Sequence, residues 1–272
     1  MSYDGGGTEA GLVYRSWQTA SPAASLVLVH GLGAHSGRWD EFAGYMQKKD
    51  ISSYAIDLKG FGHTKTFKGH IDTFRTYLKD IKELCNISKK SQPDKKVFCA
   101  GESMGGLLAY LLALEDPSFC DGVILMSPAF KTKFKVTVQD YINVFGALLY
   151  NPKKVFDLPI IPEYCTRERK YQDMIKEDER ECHGASSSLL TRIVFAQFGS
   201  FLTRKEFRLP ILFLLAGEDR IVDTSASINL FKGLKAIDKK LVVYDGMYHA
   251  ISIDKGRENV FHDTADWIYQ HL

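Results

Sequence analysis

A serine between glycines, placed after an apolar run and before a helical one, is the feature that most constrains the fold of this chain. Residues 97–100 are apolar, residues 101–105 have the sequence Gly-Glu-Ser-Met-Gly, and residues 107–109 are strong helix formers. This order predicts a buried strand, then a turn so tight that only glycine fits two residues before and after Ser103, then a helix. The turn would hold the Ser103 hydroxyl above the edge of a sheet, where the positive end of the helix dipole also points.

Short apolar or β-branched runs alternate with amphipathic stretches along most of the chain. This alternation predicts an α/β fold, with a mostly parallel central sheet and helices on both faces. The predicted strands cover residues 12–17, 26–30, 52–57, 97–101, 123–127, 211–216 and 241–244, and the clearest predicted helices cover 74–87, 104–114, 225–234 and 259–268. Ligands of such sheets bind at the carboxyl ends of the strands, so the residues that follow each strand are the candidates for a site.

One interval, residues 131–208, breaks the alternation, because it contains helical patterns, prolines and charge runs but no clear strand. We expect it to be a helical cap inserted into a core formed by residues 1–130 and 209–272. One helix of the cap has an apolar stripe at three- and four-residue spacing, formed by Val138, Tyr141, Ile142, Phe145, Leu148 and Leu149. By default the stripe packs on the body of the protein, and the alternatives are a substrate tunnel or a membrane-facing surface.

Composition limits the class of protein, its partners and the compartment in which it works. With 272 residues, 45% of them hydrophobic, the chain can bury a full core, and its net charge of +2 does not favour a nucleic-acid partner. The five cysteines are widely spaced and odd in number, which predicts free thiols in a reducing compartment. Residues 1–7 lack the features of a signal peptide, and no apolar run approaches the ~20 residues that span a bilayer. We therefore expect a cytoplasmic protein whose membrane contact, if any, is peripheral.

A serine nucleophile needs a neighbouring base and a carboxylate that orients the base. His249 follows the last predicted strand directly, and Asp219 follows the strand at residues 211–216, so both belong to the same sheet edge as Ser103. Glu218 and Asp223 are rivals for the acid, but Glu218 should point away and Asp223 is placed to cap the next helix. We expect surface or packing roles for the histidines elsewhere, which include His35, His63, His70, His183, His262 and His271.

The developing oxyanion of such a reaction needs two backbone N–H groups. Met104, directly after the nucleophile, is the candidate for the first donor. Leu32 lies in the His-Gly-Leu-Gly segment after the strand at residues 26–30 and is the candidate for the second. The order of serine, then acid, then histidine along the chain is that of the α/β-hydrolases.

Five segments together resemble the monoacylglycerol lipase and lysophospholipase family of the α/β-hydrolases: residues 30–38, 57–64, 101–106, 217–223 and 248–249. The most specific is the His-Ser-Gly-Arg segment at residues 35–38. The resemblance implies the same roles for Ser103, Asp219, His249, Leu32 and Met104, and a cap that forms an apolar acyl channel. The chain departs from the family at Glu102, where histidine is frequent, and in the sequence of the cap.

The resemblance implies a serine esterase that cleaves monoacylglycerols through an acyl-enzyme, with a small ester or lipid as substrate and no metal or organic cofactor required. The alternatives are a short-chain carboxylesterase, a lysophospholipase, an aminopeptidase and a binding protein that senses a ligand on a hydrolase fold. Lysines of the cap could meet anionic headgroups or form a solvated face: Lys131, Lys133, Lys135, Lys153 and Lys154. An aminopeptidase would need acids that bind a free amine, for which the cap offers Glu163, Glu168 and Asp173.

Overall fold

The computed structural model describes residues 11–272, and its centre is a seven-stranded sheet. Strands β1 to β9 cover Val13–Trp17, Ala24–Val29, Ile51–Asp57, Val97–Glu102, Gly122–Met126, Val155–Asp157, Gly184–Ser186, Ile211–Ala216 and Lys239–Tyr244. The order in the sheet is β1-β3-β2-β4-β5-β8-β9. β1 pairs with β3 antiparallel, and the other neighbouring strands of this sheet pair parallel.

Helices cover both faces of the sheet. Successive residues of a strand point to opposite sides, so each central strand packs against helices on both faces. Helices α1 to α9 cover Asp40–Lys48, Phe74–Ser91, Met104–Glu115, Val138–Tyr150, Pro162–Cys165, Arg169–Glu177, Ser187–Thr203, Thr224–Gly233 and Arg257–Gln270. On β4, Cys99 packs in one core cluster with residues of α2, α3 and α8, whereas Phe98 packs in the other with residues of α1 and α9. The predicted α/β fold is confirmed.

The strands agree with the sequence prediction to within two residues at each end. β2, β3, β4, β5 and β8 are buried along their whole length, as expected of central strands that are covered on both faces. β9 begins two residues earlier than predicted, at Lys239, and it is an edge strand, where lysine is tolerated. α2 runs on to Ser91, beyond the predicted end at residue 87, with Lys89 and Lys90 in a last turn that favours positive charge.

Residues 131–208, which we continue to propose as a cap, are not free of strands as the sequence suggested. β6 and β7 pair antiparallel in a second sheet of two strands. Each has three residues, which is too short for an alternating pattern to be visible in the sequence. The other elements of this interval are helices α4 to α7 and a short 3₁₀ turn at Arg204–Glu206.

The apolar stripe of α4 does not follow the default expectation that it packs on the body of the protein. Ala147 is the buried residue of this helix, whereas Val138 is 77% exposed and Leu149 is 89% exposed. Tyr141 and Ile142 are exposed as well, and Phe145 is half-buried. The stripe therefore lies mainly on the outer surface of the cap. Tyr141 and Phe145 also line the wall of a cavity.

The expectation drawn from residues 1–7 lies outside the described residues. Between residues 11 and 272, no helix combines the length and the apolar character needed to cross a membrane. All five cysteines are free, as predicted: Cys85, Cys99, Cys120, Cys165 and Cys182.

Candidate active site

Ser103 occupies the turn between β4 and α3 in a conformation that is rare for a residue with a side chain. Its φ is 56° and its ψ is −119°. The flanking glycines allow this turn, because a Cβ at Gly101 would lie 2.3 Å from the backbone of Gly105, and one at Gly105 would lie 2.1 Å from the carbonyl oxygen of Val29. The strained backbone lifts the Ser103 side chain clear of the sheet, and that side chain is only half-buried.

His249 and Asp219 form a buried pair at the same sheet edge. Nδ1 of His249 lies 2.8 Å from Oδ2 of Asp219, and Oδ1 of Asp219 accepts hydrogen bonds from the N–H groups of Ile221 and Val222, each at 2.8 Å. Because a carboxylate only accepts, Nδ1 of His249 must carry a proton, which leaves Nε2 as the basic nitrogen of the neutral ring. Burial, the largest single influence, lowers the pKa of His249, but the charge and hydrogen bond of Asp219 together with the charge of Glu102 outweigh it, so the pKa lies above its ordinary value.

The two rival acids have other positions. Glu218 is exposed. Asp223 is the N-cap of α8, where its side chain accepts from the N–H groups of Ser225 and Ala226, and it also pairs with Lys131. Asp219 is thus the acid of the three that the fold places against His249.

The loop after β2 lies against the nucleophile. A Cβ at Gly31 would lie 3.1 Å from Cβ of Ser103, so a larger residue would crowd the serine. His30 fixes the loop, because its Nδ1 donates to the carbonyl oxygen of Gly31 at 2.8 Å while its Nε2 accepts from the N–H of Leu58 at 3.0 Å. Leu32 follows in this loop, and Met104 is the first residue of α3, where an N–H has no partner within the helix.

Two cavities meet at Ser103 and Leu32, which line both. The smaller cavity has a volume of about 60 Å³, room for roughly four to six water molecules, and its walls include the polar side chains of Arg38, Glu102, Glu181, His183 and His249. The larger cavity has a volume of about 470 Å³ and lies beneath the cap. Its walls are mainly apolar and include Phe134, Val144, Phe145, Ile160, Leu190, Ile193 and Val194.

A buried ion pair lines the small cavity and joins the core to the cap. Nε and Nη2 of Arg38 donate to the two carboxylate oxygens of Glu181 at 2.7 and 2.8 Å. Beside this pair, Nε2 of His35 lies 3.1 Å from Oδ2 of Asp178, and the N–H of Cys182 donates to the carbonyl oxygen of Gly33. Sequence reasoning singled out the segment with Arg38 but missed Glu181, because the two residues are 143 positions apart.

A second contact braces the loop that carries His249. Asp254 is fully buried and accepts from the N–H of Tyr248 at 2.8 Å, and it pairs with Nη2 of Arg167 at 2.9 Å. The N–H of Ala250 also donates to the carbonyl oxygen of Cys165 at 2.8 Å. The cap therefore holds Ala250 directly through Cys165 and Tyr248 through the pairing of Arg167 with Asp254, an arrangement that no local pattern of the sequence indicated.

The three acids of the cap that could bind a free amine have their partners outside the two cavities. Glu163 pairs with Lys176, Asp173 with Arg169, and Glu168 lies 3.8 Å from Arg257. None of these three acids lines either cavity at Ser103. Among the lysines, Nζ of Lys133 donates to the carbonyl oxygen of Asp219 at 2.8 Å, so it supports the acid loop of the core.

Residues 20–256 match the family Hydrolase_4, described as serine aminopeptidase, S33. The chain is 28% identical to the monoglyceride lipase of Rattus norvegicus, over 96% of this chain and 88% of that protein. It is also 28% identical to the phospholipase YtpA of Bacillus subtilis, over 94% of this chain and 99% of that protein.

Among solved structures, the monoacylglycerol lipase of Paleococcus ferrophilus superposes with a TM-score of 0.87 at 25% identity, over 96% of this chain and 99% of that one. The similarity extends over both the sheet and the interval that we propose as a cap. The resemblance predicted from the five sequence segments is confirmed.

Proposed function

Since the chain belongs to the Hydrolase_4 family of α/β-hydrolases, we propose that it hydrolyses monoacylglycerols to glycerol and a free fatty acid through an acyl-enzyme on Ser103. That it is a carboxylic ester hydrolase follows from its family and its monoglyceride lipase relatives. The observation that carries the choice of ester is the position of Ser103 between a small cavity that has charged and polar side chains in its walls and a large one that is mainly apolar. A monoacylglycerol has the same division, with a small polyol on one side of its ester bond and an acyl chain on the other.

In the proposed mechanism, Oγ of Ser103 attacks the ester carbonyl while Nε2 of His249 takes its proton. Asp219 keeps the imidazole in the required tautomer and stabilises the imidazolium that forms. The N–H groups of Leu32 and Met104 donate to the oxyanion. When the tetrahedral intermediate collapses, the glycerol oxygen leaves with the proton from His249. Water, activated by the same histidine, then releases the fatty acid and restores Ser103.

The acyl chain is proposed to lie in the 470 Å³ cavity and the glycerol in the 60 Å³ one. The small cavity is lined by two carboxylates, Glu102 and Glu181, and by one guanidinium, Arg38, which Glu181 already binds. This balance of charge does not offer a site to the phosphate of a lysophospholipid. The uncharged hydroxyls of glycerol can both donate to the carboxylates and accept from the guanidinium.

We also propose that the protein works in the cytoplasm and meets its substrate at a membrane surface through the cap. The free cysteines support a cytoplasmic location, because thiols stay reduced there. The exposed apolar residues of α4 and α7 support the membrane contact: Val138, Ile142, Leu149, Phe195, Phe198 and Leu202. Lys135, Lys153 and Lys154 are exposed near the two ends of α4, where they could contact anionic headgroups.

The function is tested by initial hydrolysis rates on a series of monoacylglycerols of increasing chain length, beside matched p-nitrophenyl esters and lysophospholipids, with the Ser103→Ala variant in parallel. The proposal expects rapid, serine-dependent release of medium or long fatty acids from monoacylglycerols. Activity confined to short synthetic esters would indicate a general carboxylesterase, and faster cleavage of lysophospholipids would indicate a lysophospholipase. If no ester or aminoacyl substrate is turned over but ligands raise the melting temperature, the chain is a sensor.

A further inference from the structure

Glu102 is a buried carboxylate next to the reacting groups that the proposed mechanism does not use. It is the last residue of β4, directly before Ser103, and it is 8% exposed. One of its oxygens accepts from the N–H of Ser252 at 3.1 Å and the other from the hydroxyl of Ser252 at 3.1 Å. Ser252 is three residues after His249, so Glu102 ties the nucleophile turn to the loop of the base.

The cations around Glu102 already have other carboxylates as direct partners. Arg38 is bound by both oxygens of Glu181, and His249 by Asp219. The hydrogen bonds that hold Glu102 come from Ser252, which is uncharged. Cys165, Cys182 and His183 also line this cavity, and burial raises the pKa of Cys165 to about 12, so Cys165 is a neutral thiol. His249 and Arg38 are the cations that act on the pKa of Glu102, and of these the imidazolium of His249 is the one that forms in the proposed reaction.

We propose that Glu102 is a positioning residue for the base: anchored by Ser252, its carboxylate holds the loop that carries His249 and favours the imidazolium formed when His249 takes the serine proton. Two carboxylates from different parts of the sheet then act on the imidazolium, Glu102 at the end of β4 and Asp219 in the loop after β8. Short turns keep the loop compact between the two anchors, because the N–H of Ile251 donates to the carbonyl of His249 and that of Ile253 to the carbonyl of Ala250.

The electrostatics support this role. Burial raises the pKa of Glu102, while His249, Ser252 and Arg38 act against that rise. In turn, Glu102 is one of the groups that raise the pKa of His249, beside Asp219, and Arg38 lowers it. Removing the negative charge at position 102 must therefore lower the pKa of His249, so that the base becomes neutral at a lower pH.

The test compares Ser103→Ala with the double variant Ser103→Ala/Glu102→Gln, by following the titration of His249 with NMR on histidine-labelled protein. Glutamine keeps the size of the side chain and an oxygen that can accept from the N–H of Ser252. The expected result is a His249 midpoint lower by about one pH unit in the double variant, at the lower end of the effect of a neighbouring charge. In protein that retains Ser103, Glu102→Gln should move the acid limb of the pH profile of kcat/KM to lower pH by the same number of pH units. It should also lower the plateau value of kcat/KM by up to about tenfold.

Asp254→Asn is the matched control, since Asp254 is another buried carboxylate that anchors the loop of His249, and its charge is paired with Arg167. It should lower the melting temperature without moving the His249 midpoint. An unmoved or higher midpoint in the Glu102→Gln variant would overturn the proposal, and so would an equal shift in the control. The inference rests on the proposed role of His249 as base, but the NMR titration needs no turnover. Absence of ester hydrolysis would therefore count against the proposed function alone.

Discussion

The core and the cap meet at Ser103 but differ in how their functional side chains are held. In the core, the oxygens of Asp219 accept from two backbone N–H groups and from His249, and both ring nitrogens of His30 are hydrogen-bonded. In the cap, α4 has one buried residue and presents large apolar side chains to solvent. Under the proposed function, the core fixes the reacting groups by hydrogen bonds, whereas the cap offers exposed apolar side chains to the substrate.

Changes in the core should therefore affect every ester alike, and the largest effect expected after loss of Ser103 itself is that of Asp219→Asn. The amide can no longer hold His249 in the required tautomer or stabilise its imidazolium. We expect kcat to fall by about 10⁴-fold on monoacylglycerols and on soluble esters alike. Glu218→Gln, a change at the exposed neighbour, should stay within about twofold of the wild type. A loss below tenfold for Asp219→Asn, or a loss on one substrate class only, would break the assignment of the acid to the core.

The ion pair between Arg38 and Glu181 joins the two regions, because Arg38 belongs to the core and Glu181 to the cap. The two side chains are 10% and 4% exposed, so Arg38→Met should lower the free energy of unfolding by about 3 kcal/mol, since it leaves a buried carboxylate without its partner. Arg169→Met removes an ion pair of which the side chains are 78% and 42% exposed, and it should cost less than about 1 kcal/mol. Urea unfolding measures the free energy of unfolding of both variants. Equal costs for the two variants would mean that the buried pair does not hold the cap to the core.

The smallest effect is expected from the outer surface of the cap. Ile142→Ser combined with Leu149→Ser removes two exposed apolar side chains from α4. We expect hydrolysis of monoacylglycerol in phospholipid vesicles to fall by roughly tenfold, because less apolar surface reaches the bilayer, while hydrolysis of a soluble ester is unchanged. Ile237→Ser is the control, since Ile237 is fully exposed but lies outside the cap, next to β9. Equal losses on vesicles and on the soluble ester would show that α4 acts on the site and not on a membrane.

Most of the core could be predicted from the sequence because its signals are local. Glycines at fixed distances from Ser103, and polar residues directly after apolar strands, identify positions that a parallel sheet must bring to one edge. Leu32, Asp219 and His249 were found in this way, and the structure places Leu32 and His249 on the cavity of Ser103 and Asp219 against His249. Their catalytic roles remain predictions.

The cap could not be predicted to the same depth, for two physical reasons. A helical period shows that α4 has an apolar face but not what that face contacts, so the sequence could not decide between packing on the body and the outward direction that Leu149 takes. Contacts between distant segments leave no local pattern, and this applies to Arg38 with Glu181 and to Asp254 with Arg167, which are 87 residues apart. β6 and β7 were missed because three residues are too few to show an alternation.

The most direct test of the central claim is to trap the acyl-enzyme. Monoacylglycerol turnover is quenched in acid within the first turnovers, the protein is digested, and the peptides are weighed by mass spectrometry. We predict one acyl group on the peptide that contains Ser103, absent in the Ser103→Ala variant and in samples quenched before substrate is added. An acyl group on another residue, such as Cys182 in the wall of the small cavity, or steady hydrolysis with no acylated peptide, would contradict the account.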